Sequence, residues 1–151
     1  MTVANFSWLI EGQVAGHAQP ASEEDLKWLY LQGIRSLVRM SEKSLVDPAV
    51  INRMEFIDLY VPVKDFTAPT LMEIDQMIDF MLKSVLKGKP VGVSCGVGNG
   101  RTGTVLACYL VALDHTAEGL VIQVRSKRQG AVETEGQFEV LRQYLDQLFK
   151  E

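Results

Sequence analysis

Val91-Gly92-Val93-Ser94-Cys95-Gly96-Val97-Gly98-Asn99-Gly100-Arg101-Thr102-Gly103-Thr104 decides the fold of this 151-residue chain. Residues 89–94 read as a buried strand bounded by a turn. Residues 102–113 are largely apolar and read as a buried helix, with Gly103, Thr104 and Ala107 small enough for close packing. The loop between them repeats glycine at 96, 98 and 100, and these residues permit the φ > 0 turns that a phosphate nest requires. Backbone N–H groups of such a loop converge into a nest for an oxyanion. The helix that follows adds its positive N-terminal end. Arg101 supplies a planar, two-pronged grip on two phosphate oxygens. Cys95 then lies beneath the bound phosphorus, placed for attack. Gly96, Val97, Gly98, Asn99, Gly100 and Arg101 are the predicted anion-binding residues.

Working outward, the chain reads as alternating strands and helices followed by a helical C-terminal part. Strands are predicted over residues 6–10, 13–15, 34–40 and 56–63. Ser22 is the predicted N-cap of a helix over 23–32, stopped by Gly33. Residues 41–52 contain Pro48 and read as a loop with a short helix. A helix over 71–86 carries Met72, Ile74, Met77, Ile78, Met81 and Val85 at helical spacing, a predicted core face. Further helices are predicted over 116–127 and 133–148. The pattern implies an α/β fold: a central, mixed, mostly parallel sheet flanked by helices. The glycine loop would then sit at the carboxyl end of a central strand, where open α/β sheets bind ligands.

Composition narrows the classes. With 47% hydrophobic residues, a folded globule is expected. A net charge of −4 argues against a nucleic-acid partner. Two cysteines, one in a reactive loop, suit a reducing, cytoplasmic setting better than a disulfide framework. No signal peptide is evident at the start and no apolar run spans a bilayer, so no membrane partner is expected. No His/Asp/Glu cluster has metal-ligand spacing, so neither a metal nor another cofactor is expected.

The loop resembles the signature of the cysteine-dependent protein tyrosine phosphatase superfamily, His-Cys-x2-Gly-x2-Arg-Ser/Thr, and the chain is most similar to its small atypical dual-specificity branch. Asn5-Phe6-Ser7-Trp8, Asp65-Phe66, Gly103-Thr104, the run from Leu106 to Val111, Glu133-Thr134 and Gln137 carry the same resemblance. It implies one phosphatase domain over residues 1–151, acting as a monomer on phosphorylated proteins or peptides. The implied reaction has two steps. Cys95 attacks phosphorus and forms a cysteinyl-phosphate, Asp65 protonates the leaving oxygen, and water then releases phosphate with Asp65 as base. The resemblance gives Thr102 a hydroxyl that bonds the cysteine sulfur and gives Gln137 the placing of the attacking water. Glu133 stands where classical tyrosine phosphatases carry another glutamine. A shallow pocket would accept phosphotyrosine and phosphoserine or phosphothreonine alike. Phosphoinositide and RNA 5′-phosphate substrates, and a weakly active phosphate-binding module, are the alternatives.

Three departures stand out. Ser94 replaces the histidine that precedes the cysteine and helps hold the loop, which predicts a weaker bias toward the thiolate. Lys64 precedes Asp65 where proline is common, and Gln129 replaces a proline near Arg128. Arg125, Lys127 and Arg128 form a cluster able to attract a dianion or simply to face solvent. Cys108, on the apolar helix, reads as a buried inert thiol. His17 and His115 read as isolated, without a catalytic role.

Overall fold

The computed structural model of the chain describes residues 2–113 and 132–149. The helix expected over 116–127, together with His115, Arg125, Lys127, Arg128 and Gln129, lies outside the described residues. Strands β1 (Ser7–Ile10), β2 (Val14–Ala18), β3 (Ser36–Arg39), β4 (Ile57–Tyr60) and β5 (Val91–Cys95) form a sheet in the order β1-β2-β5-β3-β4. Only the β1–β2 pair is antiparallel; β2–β5, β5–β3 and β3–β4 are parallel. The expected mixed, mostly parallel α/β architecture is therefore the observed one, and β5 stands at its centre.

Helices α1 (Glu23–Leu31), α2 (Pro48–Arg53), α3 (Leu71–Leu86), α4 (Gly100–Ala112) and α5 (Glu135–Phe149) complete the described elements. Their starts follow from local chemistry. Ser22 Oγ accepts the Asp25 N–H at 3.1 Å, as its N-cap position predicts. Asp47 caps α2, with Pro48 in its first turn. Thr70 and Glu73 form a reciprocal capping box on α3, Thr70 Oγ1 accepting from Glu73 N at 3.2 Å and Glu73 Oε1 from Thr70 N at 2.9 Å.

Parallel strands alternate their side chains between two buried faces. On one face Val14, Val38, Val91 and Val93 pack against Ile74, Met77 and Met81 of α3, Leu106 of α4, and Leu141 and Tyr144 of α5. On the other, Ala15 and Leu37 meet Leu26 and Leu29 of α1 and Ile51 of α2. Met72 departs from its predicted core position: in the first turn of α3 it is 82% exposed, because the buried stripe begins at Ile74. β2 is also longer than its predicted 13–15, because pairing with β5 runs on through Gly16, His17 and Ala18 as far as Cys95. Cys108 is fully buried, and burial, aided by the charge of Asp75, pushes its thiol far above the ordinary range. It is an inert core residue.

Candidate active site

β5 delivers Cys95 to the carboxyl edge of the sheet, 2% exposed. The chain then turns through residues 96–99 and enters α4. Thr102 Oγ1 donates to Cys95 Sγ at 3.1 Å. Gly98 alone of the three loop glycines has positive φ, 86°. Gly96 and Gly100 do not use the left-handed backbone that glycine permits. They are small because neighbours come close. A Cβ at Gly96 would stand 3.3 Å from Arg101 Nη2, and one at Gly100 2.4 Å from Glu133 Oε1 and 2.9 Å from Gln137 Oε1.

The start of α4 is open. Asn99 occupies its N-cap without a side-chain cap bond, and the Gly103 N–H is the one that reaches the Asn99 carbonyl, at 2.7 Å. The first-turn N–H groups thus lack intrahelical acceptors and point their positive end at the loop. Asn99 Oδ1 instead accepts from Asn5 Nδ2 at 2.8 Å, and the same nitrogen donates to the Val97 and Gly98 carbonyls at 3.0 and 3.3 Å. Asn5 pins the outer side of the loop from a left-handed backbone (φ 59°).

Arg101 is only 5% exposed. Its Nη1 donates to Val63 O at 2.7 Å and to Met40 O at 3.5 Å, which fixes the guanidinium from behind. Nη2 lies 3.4 Å from Asp65 Oδ1, and the buried Nε has no hydrogen-bond partner among the described residues. On the Nε–Nη2 edge, the geometry of a bidentate oxyanion grip, Nε is therefore unengaged and Nη2 meets only the long Asp65 contact.

Asp65 is 53% exposed, enough to meet an incoming group. Its N–H donates to Glu42 Oε1 at 2.8 Å, and its Oδ1 accepts the N–H of Phe66, whose backbone is left-handed (φ 61°). Further along this loop, Thr67 O accepts from Gln137 Nε2 at 3.1 Å. Gln137 is buried, and its Oε1 accepts the Glu133 N–H at 2.7 Å, so its amide ties α5 to the Asp65 loop beside Gly100. Glu133 and Lys64 are exposed. Phe66 and Val97, 66% and 65% exposed, stand apolar on the Asp65 loop and the glycine loop.

The structure thus gathers Cys95, Thr102, Arg101 and Asp65 at one place, with Gln137 joined to the Asp65 loop. Sequence reasoning missed Glu42, which has no local motif, and gave Asn5 no role although it stood in the resemblance. Among the described residues, no group of three His, Cys, Asp or Glu side chains is placed to hold a metal. No helix there is long and apolar enough to cross a membrane.

Residues 3–149 match the family model described as PTP-SAK: Swiss Army Knife protein, DSP-PTPase phosphatase domain. Protein tyrosine phosphatase domain-containing protein 1 of Mus musculus is 40% identical over 82 residues, 54% of this chain and 11% of its own length. Phosphatidylglycerophosphate phosphatase PTPMT1 of Arabidopsis thaliana is 30% identical over 128 residues, 83% of this chain and 37% of its own. The chain spans less than two thirds of the length of the curated relatives it matches. The crystal structure of Tk-PTP in its active form superposes with a TM-score of 0.87 at 28% identity, covering 94% of this chain and 97% of that one.

Proposed function

The chain belongs to the DSP-PTPase phosphatase family of that match, and on this premise we propose that it hydrolyses phosphate monoesters through a cysteinyl-phosphate on Cys95. The observation that carries the reading is the buried Arg101, held from behind by two carbonyls, with its Nε–Nη2 edge toward the cysteine loop. A buried cation beside an uncapped helix start, with Asp65 Oδ1 3.4 Å from its Nη2 alone, suits an anion of matching geometry.

In the proposed first step the Cys95 thiolate attacks phosphorus in line, the S–P bond forms and the ester P–O bond breaks. The leaving oxygen takes the proton of Asp65, which the Glu42 bond and the Arg101 contact hold over the loop. In the second step water attacks the phosphocysteine and gives a proton back to Asp65. The S–P electrons return to sulfur, where the Thr102 hydroxyl at 3.1 Å eases the departure. Arg101 and the loop amides carry the spread negative charge of both transition states. Gln137, beside Gly100, is the residue assigned to placing the water. No step calls for a metal.

The substrate reading is a phosphorylated protein or peptide, on phosphotyrosine and on phosphoserine or phosphothreonine, with residues 1–151 as one catalytic domain. It draws on the likeness to the atypical dual-specificity branch, dual-specificity phosphatase 23 in particular. A lipid phosphate is the second reading. It is favoured by the name of the Arabidopsis thaliana relative and by the exposed apolar Phe66 and Val97 on the two loops.

Hydrolysis of para-nitrophenyl phosphate by wild type, Cys95→Ser, Arg101→Ala and Asp65→Asn tests the reaction, with and without chelator. Complete loss in the first two variants, a large loss in the third and indifference to chelator are expected. Full turnover in Cys95→Ser would remove the covalent intermediate. Phosphopeptides, phosphoinositide vesicles and 5′-phosphorylated RNA, compared at equal concentration, then separate the substrate classes.

A further inference from the structure

His17 is fully buried in β2, where its register partner in β5 is Ser94. Paired residues of neighbouring parallel strands project from the same face. The imidazole occupies a slot that exists because residue 92 lacks a side chain. A Cβ at Gly92 would stand 2.4 Å from His17 Nε2. The Phe6 ring stacks on the imidazole with centroids 6.1 Å apart. Nδ1 lies 2.7 Å from Ala18 O. A carbonyl only accepts, so Nδ1 carries a proton and donates it. On the neighbouring strand, Ser94 Oγ is buried with no hydrogen-bond partner among the described residues.

The backbone fastened by that Nδ1–H is the floor of the cysteine loop. Ala18 is the register partner of Cys95. Gln19 N donates to Gly96 O at 3.0 Å. Gly98 lies so near that a Cβ on it would stand 2.5 Å from His17 O and 2.9 Å from Ala18 N. A shift of the Ala18–Gln19 peptide, whose carbonyl the imidazole holds, would act on Gly96 through Gln19 N, and through the Ala18 backbone on Cys95 and Gly98. A buried imidazole is a costly way to fill a slot that an apolar side chain could fill, unless its hydrogen bond is used.

We propose that His17 is a positioning residue for the anion-binding loop, holding it from the adjacent strand through the Ala18 carbonyl. Histidine is thus displaced across one strand from position 94, where the family signature has it. This rests on the phosphatase reading of Cys95, and the experiment separates the two.

Turnover of para-nitrophenyl phosphate and inhibition by vanadate are measured for wild type, His17→Leu, His17→Asn, His17→Gln and His17→Leu/Ser94→His, well below each melting temperature. The Asn amide N–H can take the place of Nδ1–H; Leu has no donor and Gln presents its donor one bond further out. Loss of the bond is expected to lower kcat and weaken vanadate inhibition, each about tenfold, in His17→Leu and His17→Gln. His17→Asn and the double variant are expected to recover most of both. Equal values in wild type and His17→Leu, or equal values in the Asn and Gln variants, would overturn the proposal. Should His17→Leu not fold, the Asn–Gln comparison decides alone. Should wild type turn over no phosphate ester, the function reading fails, and tungstate affinity by calorimetry then decides His17. Tighter binding by Asn than by Gln supports it and equal binding refutes it.

Discussion

Arg101 carries its charge at 5% exposure, and two backbone carbonyls decide which edge of the guanidinium remains for a ligand. Lysine at this position would keep the charge but lose the fork and its anchoring. Arg101→Lys is therefore expected to lose about 10²–10³-fold in kcat, read from steady-state hydrolysis. The hydroxyl at 3.1 Å from the sulfur predicts a different signature for Thr102→Ala. On the proposed mechanism, its removal is expected to slow release of sulfur more than attack by sulfur. A pre-steady-state burst of nitrophenol and accumulation of phosphoenzyme are the expected result, and a burst no larger than that of wild type would assign the hydroxyl to helix packing alone. The two cysteines differ just as sharply. Cys108 is fully buried in the core and held protonated, whereas Cys95, itself only 2% exposed, lies at the base of the glycine loop at the sheet edge, so alkylation of the native chain by a small anionic reagent is expected to label Cys95 and leave Cys108 unmodified.

At the scale of elements, the site is a meeting of loops fixed by bonds that cross long stretches of sequence. The Asp65 loop is held by Glu42 at one end and by Gln137 at the other. The Glu42 segment is itself anchored: Arg39 forms a two-pronged pair with Asp58 at 2.7 and 2.8 Å and donates to Ser44, and Tyr60 Oη donates to Ser41 O. Glu42→Ala should therefore unfasten Asp65, the proposed acid, without touching Cys95, the proposed nucleophile. Its kcat/KM is expected to fall about tenfold with phenyl phosphate and less with an activated aryl ester, whose leaving oxygen depends less on a proton donor. An equal fall with both esters would show that Glu42 does not act through Asp65. Gly98 joins a left-handed φ to a backbone contact that leaves no room for Cβ. Gly98→Ala is accordingly expected to cost about 1–3 kcal/mol in denaturant unfolding and to abolish vanadate inhibition.

For the whole molecule, stability and site share one core. β5 lies between β2 and β3 and carries Cys95 at its end, and residues 100–111 of α4 are buried throughout. Truncating Leu106 or Met77 to alanine should cost about 2–5 kcal/mol by chemical denaturation. Alkali should unfold the chain as well. Burial pushes Tyr144 up to about 12 and raises Cys108 too, while both ionise in their ordinary range once unfolded. The unfolded state then releases protons first, so the stability these groups supply is complete below about pH 9 and drains away as pH rises further. Cys108→Ala should flatten that alkaline limb in thermal melts taken across pH.

Much of this was legible locally. The cap at Ser22, the apolar α3 stripe from Ile74 to Met81, and the strand–glycine loop–helix run are short-range consequences of covalent geometry and hydrogen bonding. They carry the α/β alternation, and the cysteine and arginine within one loop needed no distant residue to be noticed. Local pattern misjudged Met72 and the length of β2, because exposure and strand pairing depend on what packs alongside. Only the tertiary structure placed Asn5 on the outer loop, Glu42 behind Asp65, Gln137 against Thr67, and His17 beside Ser94. Each of these contacts joins residues far apart in sequence. Hydrophobic burial on both sheet faces brings them together, and residue order alone records no such distance.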